Sequence, residues 1–293
     1  MSASEAGTWM QYSKRFKPDN KVFREYLSWL WKVCVRPILV EGNFGVQQSK
    51  QDLPSVWWIG TGLASSMPFH AAGHHSPQSE ENVFNRAISS YAPSIKALVY
   101  ARERSLKRDV IIESLLLVTM RKTPPDLPSL DGVEHEKKAI LKSIHTYLKT
   151  QLLDHPNADT SGLVFHKDDS DYISGLMTVQ AVSGLKLERS RIAYISACSI
   201  PTDTTVKLRD EAIHIMSGFQ VAGFAHVIGF LWHSVDRVCV KVAKRFYESL
   251  FRGEDTKVED IDVAMAFHES VPAVRVAYRN QPLIWAQFVH YGA

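Results

Sequence analysis

Few side chains in this sequence could carry covalent or acid–base chemistry, and one thiol stands in the best place for it. Cys198 closes the apolar run IAYISAC (192–198). The polar loop 199–205 and a helix beginning near Asp210 follow it. An apolar run that gives way to a polar loop sets the thiol at the carboxyl end of a buried strand, where sites collect in open α/β sheets. A buried free cysteine is also a common small hydrophobe, so position alone leaves a nucleophile and a packing residue equally open. Cys34 and Cys239 lie within apolar helical stretches and read as core.

The twelve histidines are mostly isolated. His70, His74 and His75 form a group, but no cysteine or carboxylate follows at metal-ligand spacing, so they read as a surface loop. Asp168, Asp169 and Asp171 lack the glycine and terminal glutamate of a calcium loop and read as solvated. Gly60-Thr61-Gly62 lacks the rest of a dinucleotide fingerprint. The sequence holds no Gly-x-Ser-x-Gly elbow, which disfavours an α/β-hydrolase. The expectation is therefore no cofactor and no metal.

The elements that must position Cys198 follow from hydrophobic spacing. Val22, Phe23, Tyr26, Leu27, Leu30 and Trp31 recur at helical intervals over residues 20–40. Short apolar runs at 56–60, 114–120, 192–200 and 226–232 read as buried strands. Residues 81–106 read as helix and loop, and residues 133–153 as a helix. Another helix spans 210–223, with Asp210 and Glu211 in its first turn and Gly223 as its stop. Two more span 235–251 and 258–275. Buried strands alternating with helices imply an α/β fold with a mostly parallel sheet covered by helices on both faces.

Composition narrows the function classes. Of 293 residues, 45% are hydrophobic and 22% charged, which is enough apolar material for a sizeable core. A formal charge of +3 is too mild to point to nucleic acid or a membrane surface as partner. Three widely spaced cysteines argue against a disulfide framework and for a reducing compartment. The N-terminus lacks a secretory apolar core, and the apolar stretch 26–40 is broken by Lys32 and Arg36. A cytoplasmic location is expected.

From Ile192 onward the sequence resembles the CHAT domain, a caspase- and separase-related family often attached to tetratricopeptide repeats. The resemblance is carried by IAYISACSI, then DEAIHIMSGFQVAGFAHVIGFLWHSVD, VAKRFYESLF and WAQFVHYGA, in the family's order and spacing. Upstream, WWIGTGLASSMPFHAAGHHS, YAPSIKALVYARE and LLLVTM resemble fungal members. The resemblance implies a caspase-like sheet and a Cys–His dyad with Cys198 as nucleophile. The family's histidine ends a strand, is followed by Gly, and precedes the stretch matched here by Ser161-Gly162-Leu163-Val164-Phe165. That strand and its His-Gly are absent, because the chain passes from Asp159 directly to Thr160. About 20 residues are missing by ordinary element lengths.

The departure bears on chemistry. A free thiol with a pKa near ~8.5 needs a base or a positive environment to become a good nucleophile. Loss of the block removes that base and part of the oxyanion site. His155 and His166 are near in sequence, but neither follows an apolar strand or precedes Gly, so neither is assigned as the base. Asp210 and Glu211 could shape a substrate pocket, although first-turn helix charges are the preferred reading. Residues 1–50 are expected to form an N-terminal helical extension and 51–293 the CHAT domain. The reading carried forward is a caspase-like cysteine endopeptidase by ancestry, impaired in activity. The alternative is an inactive pseudo-protease serving as a protein-interaction module. Both take a protein or peptide as substrate or partner, with tetratricopeptide-repeat regions as a further partner.

Overall fold

The computed structural model describes residues 20–45, 52–106, 114–120, 132–144, 149–155, 166–167, 171–172, 191–195, 216–232, 236–252 and 258–293. The chain enters through α1 (Asn20–Leu30), whose Phe23, Tyr26, Leu27 and Leu30 recur at i, i+3, i+4 and i+7 and are buried. Each such side chain contributes about 2 kcal/mol by leaving water. A π-helical turn (Trp31–Val35) leads into α2 (Arg36–Glu41). Pro37 follows that turn and has no N–H to offer the helix ladder.

The central sheet has five strands in the order β1-β2-β9-β8-β7. They are β1 (Ser55–Trp58), β2 (Ile88–Tyr91), β7 (Ile192–Tyr194), β8 (His226–Phe230) and β9 (Phe288–Gly292). The pairs β1/β2, β2/β9 and β7/β8 are parallel, and β8/β9 is antiparallel. Every residue of β8 and β9 is buried, as a strand covered on both faces requires. A separate parallel pair joins β3 (Ser114–Met120) to β4 (Lys149–His155). A two-residue hairpin pairs β5 (His166–Lys167) with β6 (Asp171–Tyr172).

Helices cover both faces. On the face that carries His226 and Ile228 lie α5 (Asp236–Leu250) and α6 (Asp260–Ala277). Tyr194 of β7 packs its ring 5.8 Å from those of Phe246 and Tyr247 of α5. On the opposite face, Met216 of the helical stretch 216–222 meets Gly229. The two short helices α3 (Ile95–Leu106) and α4 (Gly132–Ser143) complete the described set with α7 (Pro282–Trp285). The helix α4 packs on both α5 and β3, which ties the β3–β4 pair to the helices of the face that carries His226. The first turn of α6 is closed by a capping box, in which Glu259 is the N-cap and its N–H donates to Asp262 Oδ2 at 2.7 Å.

Several expectations need correction. The helix expected over 133–153 ends at Ser143, and a strand follows from Lys149 to His155. His155 thus closes a strand, contrary to the sequence reading. Residues 81–106 contain β2, whose two central serines disguise it as loop. His70 is no surface residue: it is buried, and its Nδ1 lies 2.8 Å from the Tyr91 hydroxyl. The helix expected over 210–223 is described from 216, and Gly223 stops it at φ +118°, donating its N–H to Phe219 O.

Candidate functional site

Cys198, Asp210 and Glu211 lie outside the described residues. What is described is the frame on either side of them. The β7 ladder continues past Tyr194, with Ile195 N–H donating to Ile228 O at 2.9 Å, and Cys198 follows three residues later. The chain is described again at Met216, which is buried against the middle of β8. A Cβ at position 229 would come 2.8 Å from the Met216 sulfur, so Gly229 gives that helix its close seat on the sheet. His155 ends β4 and His166 begins β5.

The opposite end of β8 holds a buried polar chain that the sequence reading missed. Ser90 Oγ lies 2.9 Å from His290 Nδ1. His290 Nε2 lies 3.0 Å from His226 Nδ1, and His226 Nε2 lies 2.9 Å from Asp260 Oδ1. Asp260 Oδ1 also accepts from Arg191 Nη2 at 3.0 Å and from the Ser105 hydroxyl. Four elements therefore meet at one carboxylate: the residue before β7, the start of β8, the end of α3 and the first turn of α6.

Register explains how the two imidazoles touch. His226 pairs with Gly292, and Ile228 with His290, so the rings must meet above position 292. They stack at 5.2 Å between centroids with 17° between planes. A Cβ on Gly292 would lie 2.5 Å from His290 Nε2 and 2.8 Å from His226 Nδ1. Glycine is what leaves room for the bond.

Proton placement follows from the partners. Asp260 as a carboxylate only accepts, so His226 carries a proton on Nε2. With His226 neutral, its Nδ1 accepts from His290 Nε2–H, and His290 Nδ1 accepts from the Ser90 hydroxyl. With His226 doubly protonated, its Nδ1–H donates to His290 Nε2, and the His290 proton sits on Nδ1 facing Ser90 Oγ. The chain can thus hold one more proton without losing a hydrogen bond. Burial, and then the neighbouring His226, holds the His290 pKa well below the ordinary imidazole value. Burial alone would raise Asp260, but the hydrogen bonds from His226, Ser105 and Arg191 outweigh it and hold the carboxyl below its usual range.

Asp260 opens on a cleft of about 280 Å³ lined by Trp57, Arg102, Ala264 and Ala293. The Trp57 indole N–H donates to Gly292 O at 2.9 Å, and the Arg102 guanidinium lies 4.2 Å over the same indole. Among the described residues no group of His, Cys, Asp and Glu could hold a metal ion. Cys239 is buried, and burial pushes up the thiol of half-buried Cys34.

The mixed, mostly parallel sheet with helices on both faces is that of the caspase-like cysteine peptidases. The separase of Saccharomyces cerevisiae, solved in complex with securin, superimposes with a TM-score of 0.50 at 15% identity, over 78% of this chain. Gingipain R of Porphyromonas gingivalis, an Arg-specific cysteine proteinase, superimposes with a TM-score of 0.52 at 11% identity, over 87% of this chain and 66% of its own. The complex of the pro- and mature domains of the same bacterium's RgpB gives 0.51 at 10% identity, over 87% of this chain and 67% of that one. The chain spans 15% of the separase chain. Residues 143–293, just over half of the sequence, match the family model of the CHAT domain, and the chain belongs to that family. No curated protein matches it.

Proposed function

We propose that this protein is a cysteine endopeptidase by descent whose Cys198–His dyad is incomplete, and that it acts by binding a protein or peptide partner. The observation that supports this is the strand pairing among the described residues. Among the described residues, β7 ends the five-stranded sheet, and β3 and β4 form their own parallel pair. One strand between β7 and β3 would join the two sheets into one. That is where a strand ending in His-Gly, absent at the Asp159–Thr160 junction, would belong. Without its histidine, Cys198 has an ordinary thiol's reactivity, and Asp210 and Glu211 serve as helix-terminal charges.

A cytoplasmic location is part of the reading, supported by three widely spaced cysteines in a chain large enough to fold without a disulfide framework. No described helix is long and apolar enough to cross a membrane. Tetratricopeptide-repeat regions, the family's usual attachment, are the partners to seek alongside a peptide ligand. Sequencing the transcript across the codons for Asp159 and Thr160 tests the proposal. A continuous junction supports it. An intervening segment that encodes an apolar strand and His-Gly overturns it and restores a working peptidase.

A further inference from the structure

The carboxyl end of α6 gathers positive charge that no carboxylate among the described residues pairs. Arg275 lies on its last turn, and Arg279 follows one turn later. The Arg275 guanidinium sits 5.1 Å over the Phe84 ring and donates from Nη1 to His75 Nδ1 at 2.8 Å. His75 in turn donates from Nε2 to Ala71 O at 2.8 Å. Burial, and then the charge of Arg275, lowers the His75 pKa to about 3, so the ring is neutral. Arg275 is therefore held in place by a neutral ring and an aromatic face, and neither cancels its charge. Its own pKa is lowered to about 10 by burial and by Arg279.

Neighbouring helices add to the group. Arg237 and Lys241 of α5 lie 5.6 and 5.4 Å from the ring of Tyr278, the residue that caps α6. Arg24 of α1 donates from Nη1 to Asn280 Oδ1 at 3.2 Å. Among the described residues, none of these five cations forms an ion pair with a carboxylate. The helix dipole accounts for a cation on the last turn. It does not account for three more arriving from α1 and α5. The whole chain carries only +3, so this is a local concentration.

The group also lies at a telling end of the molecule. The chain leaves α6 through α7 and enters β9 beside the end of β8, where Leu231 N–H donates to Gln287 O at 2.8 Å. The Trp232 indole N–H donates to Leu283 O at 2.8 Å. This is the end toward which β7 and β8 both run.

We propose that Arg24, Arg237, Lys241, Arg275 and Arg279 form a docking surface for an acidic peptide segment of a protein partner. Guanidinium forks pair with carboxylates through two parallel bonds, and Arg275 is already oriented by His75. A nucleic acid is the poorer fit, because five charges at one end do not make the extended stripe that a phosphate backbone needs. The proposal stands whether or not Cys198 is catalytic.

The test is fluorescence anisotropy with a labelled Asp/Glu-rich peptide, its Asn/Gln counterpart and a short single-stranded oligonucleotide. The acidic peptide is expected to bind, the neutral one not. Affinity should fall roughly fivefold or more on raising salt from about 50 to about 300 mM. The double variant Lys241→Glu/Arg279→Glu should weaken binding about tenfold or more, while Lys138→Glu on α4 leaves it unchanged. Arg24→Glu, on a separate helix, gives the same reading if the double variant unfolds early. Equal binding of the neutral peptide overturns the proposal. So does tighter binding of the oligonucleotide, displacement by millimolar inorganic phosphate, or indifference to all three charge reversals.

Discussion

Replacing Gly292 by alanine should destabilise the fold, although the same exchange at an open site usually helps. Alanine restricts the unfolded chain and is worth about 0.4–1 kcal/mol of added stability where the backbone accepts it. At position 292 the new methyl would lie 2.5 Å from His290 Nε2 and 2.8 Å from His226 Nδ1, so the rings must part. Their 3.0 Å hydrogen bond is then lost inside the core. A buried donor and a buried acceptor are left unpaired, at about 1–3 kcal/mol each. The net loss is about 1–6 kcal/mol after the alanine gain, a large share of the ~5–15 kcal/mol that ordinarily holds a domain together. Urea denaturation followed by tryptophan fluorescence measures it. Gly45, with nothing within 4 Å of its Cβ position, is the control, and Gly45→Ala should be neutral or slightly stabilising. If Gly292→Ala lies within about 0.5 kcal/mol of the parent, the histidine pair does not hold the sheet as described here.

Two further outcomes follow from buried groups. Burial lowers the His70 pKa to about 3, and burial with its neighbour His226 holds His290 well below its ordinary value. The unfolded chain binds protons at both near pH 6.5 while the folded chain does not. Stability is therefore full above the unfolded pKa and falls as pH drops below it, by up to about 1.4 kcal/mol per pH unit for each ring. Denaturation curves at pH 7.5, 6.5 and 5.5 check this, and a flat profile would count against it. Leu27→Ala in α1 should cost about 2–5 kcal/mol, because that side chain is fully buried in the main core. A loss below about 1 kcal/mol would make the helix a detachable extension.

The strands β1, β3 and β8 and the long helices were legible in the sequence because each carries an apolar run or a helical stripe of unmistakable length. Pairing between distant segments was not. His226, Asp260 and His290 are far apart along the chain and become one site only through the β8–β9 register and the capped start of α6. The sole local hint was a glycine two residues after His290, whose purpose needs the neighbouring strand. Ser89 and Ser90 hid β2, since a strand whose serine meets a histidine does not look apolar. The helix reading over 133–153 failed because a helix and a strand of similar apolar content sit six residues apart, and no glycine or proline separates them. Cys198 was singled out by its position at the end of an apolar run and by the family resemblance, and it lies outside the described residues.

The most direct test of an incomplete dyad is the rate at which an electrophilic peptide probe labels Cys198 as pH rises. Cys34 and Cys239 are poor references, being half-buried and buried, so the reference is a free thiol in the same buffer. With the dyad incomplete, labelling at neutral pH is no faster than the free thiol's and climbs with a midpoint near ~8.5. A midpoint several units lower, with rapid labelling at neutral pH, would mean that a base activates Cys198 and that the dyad is complete.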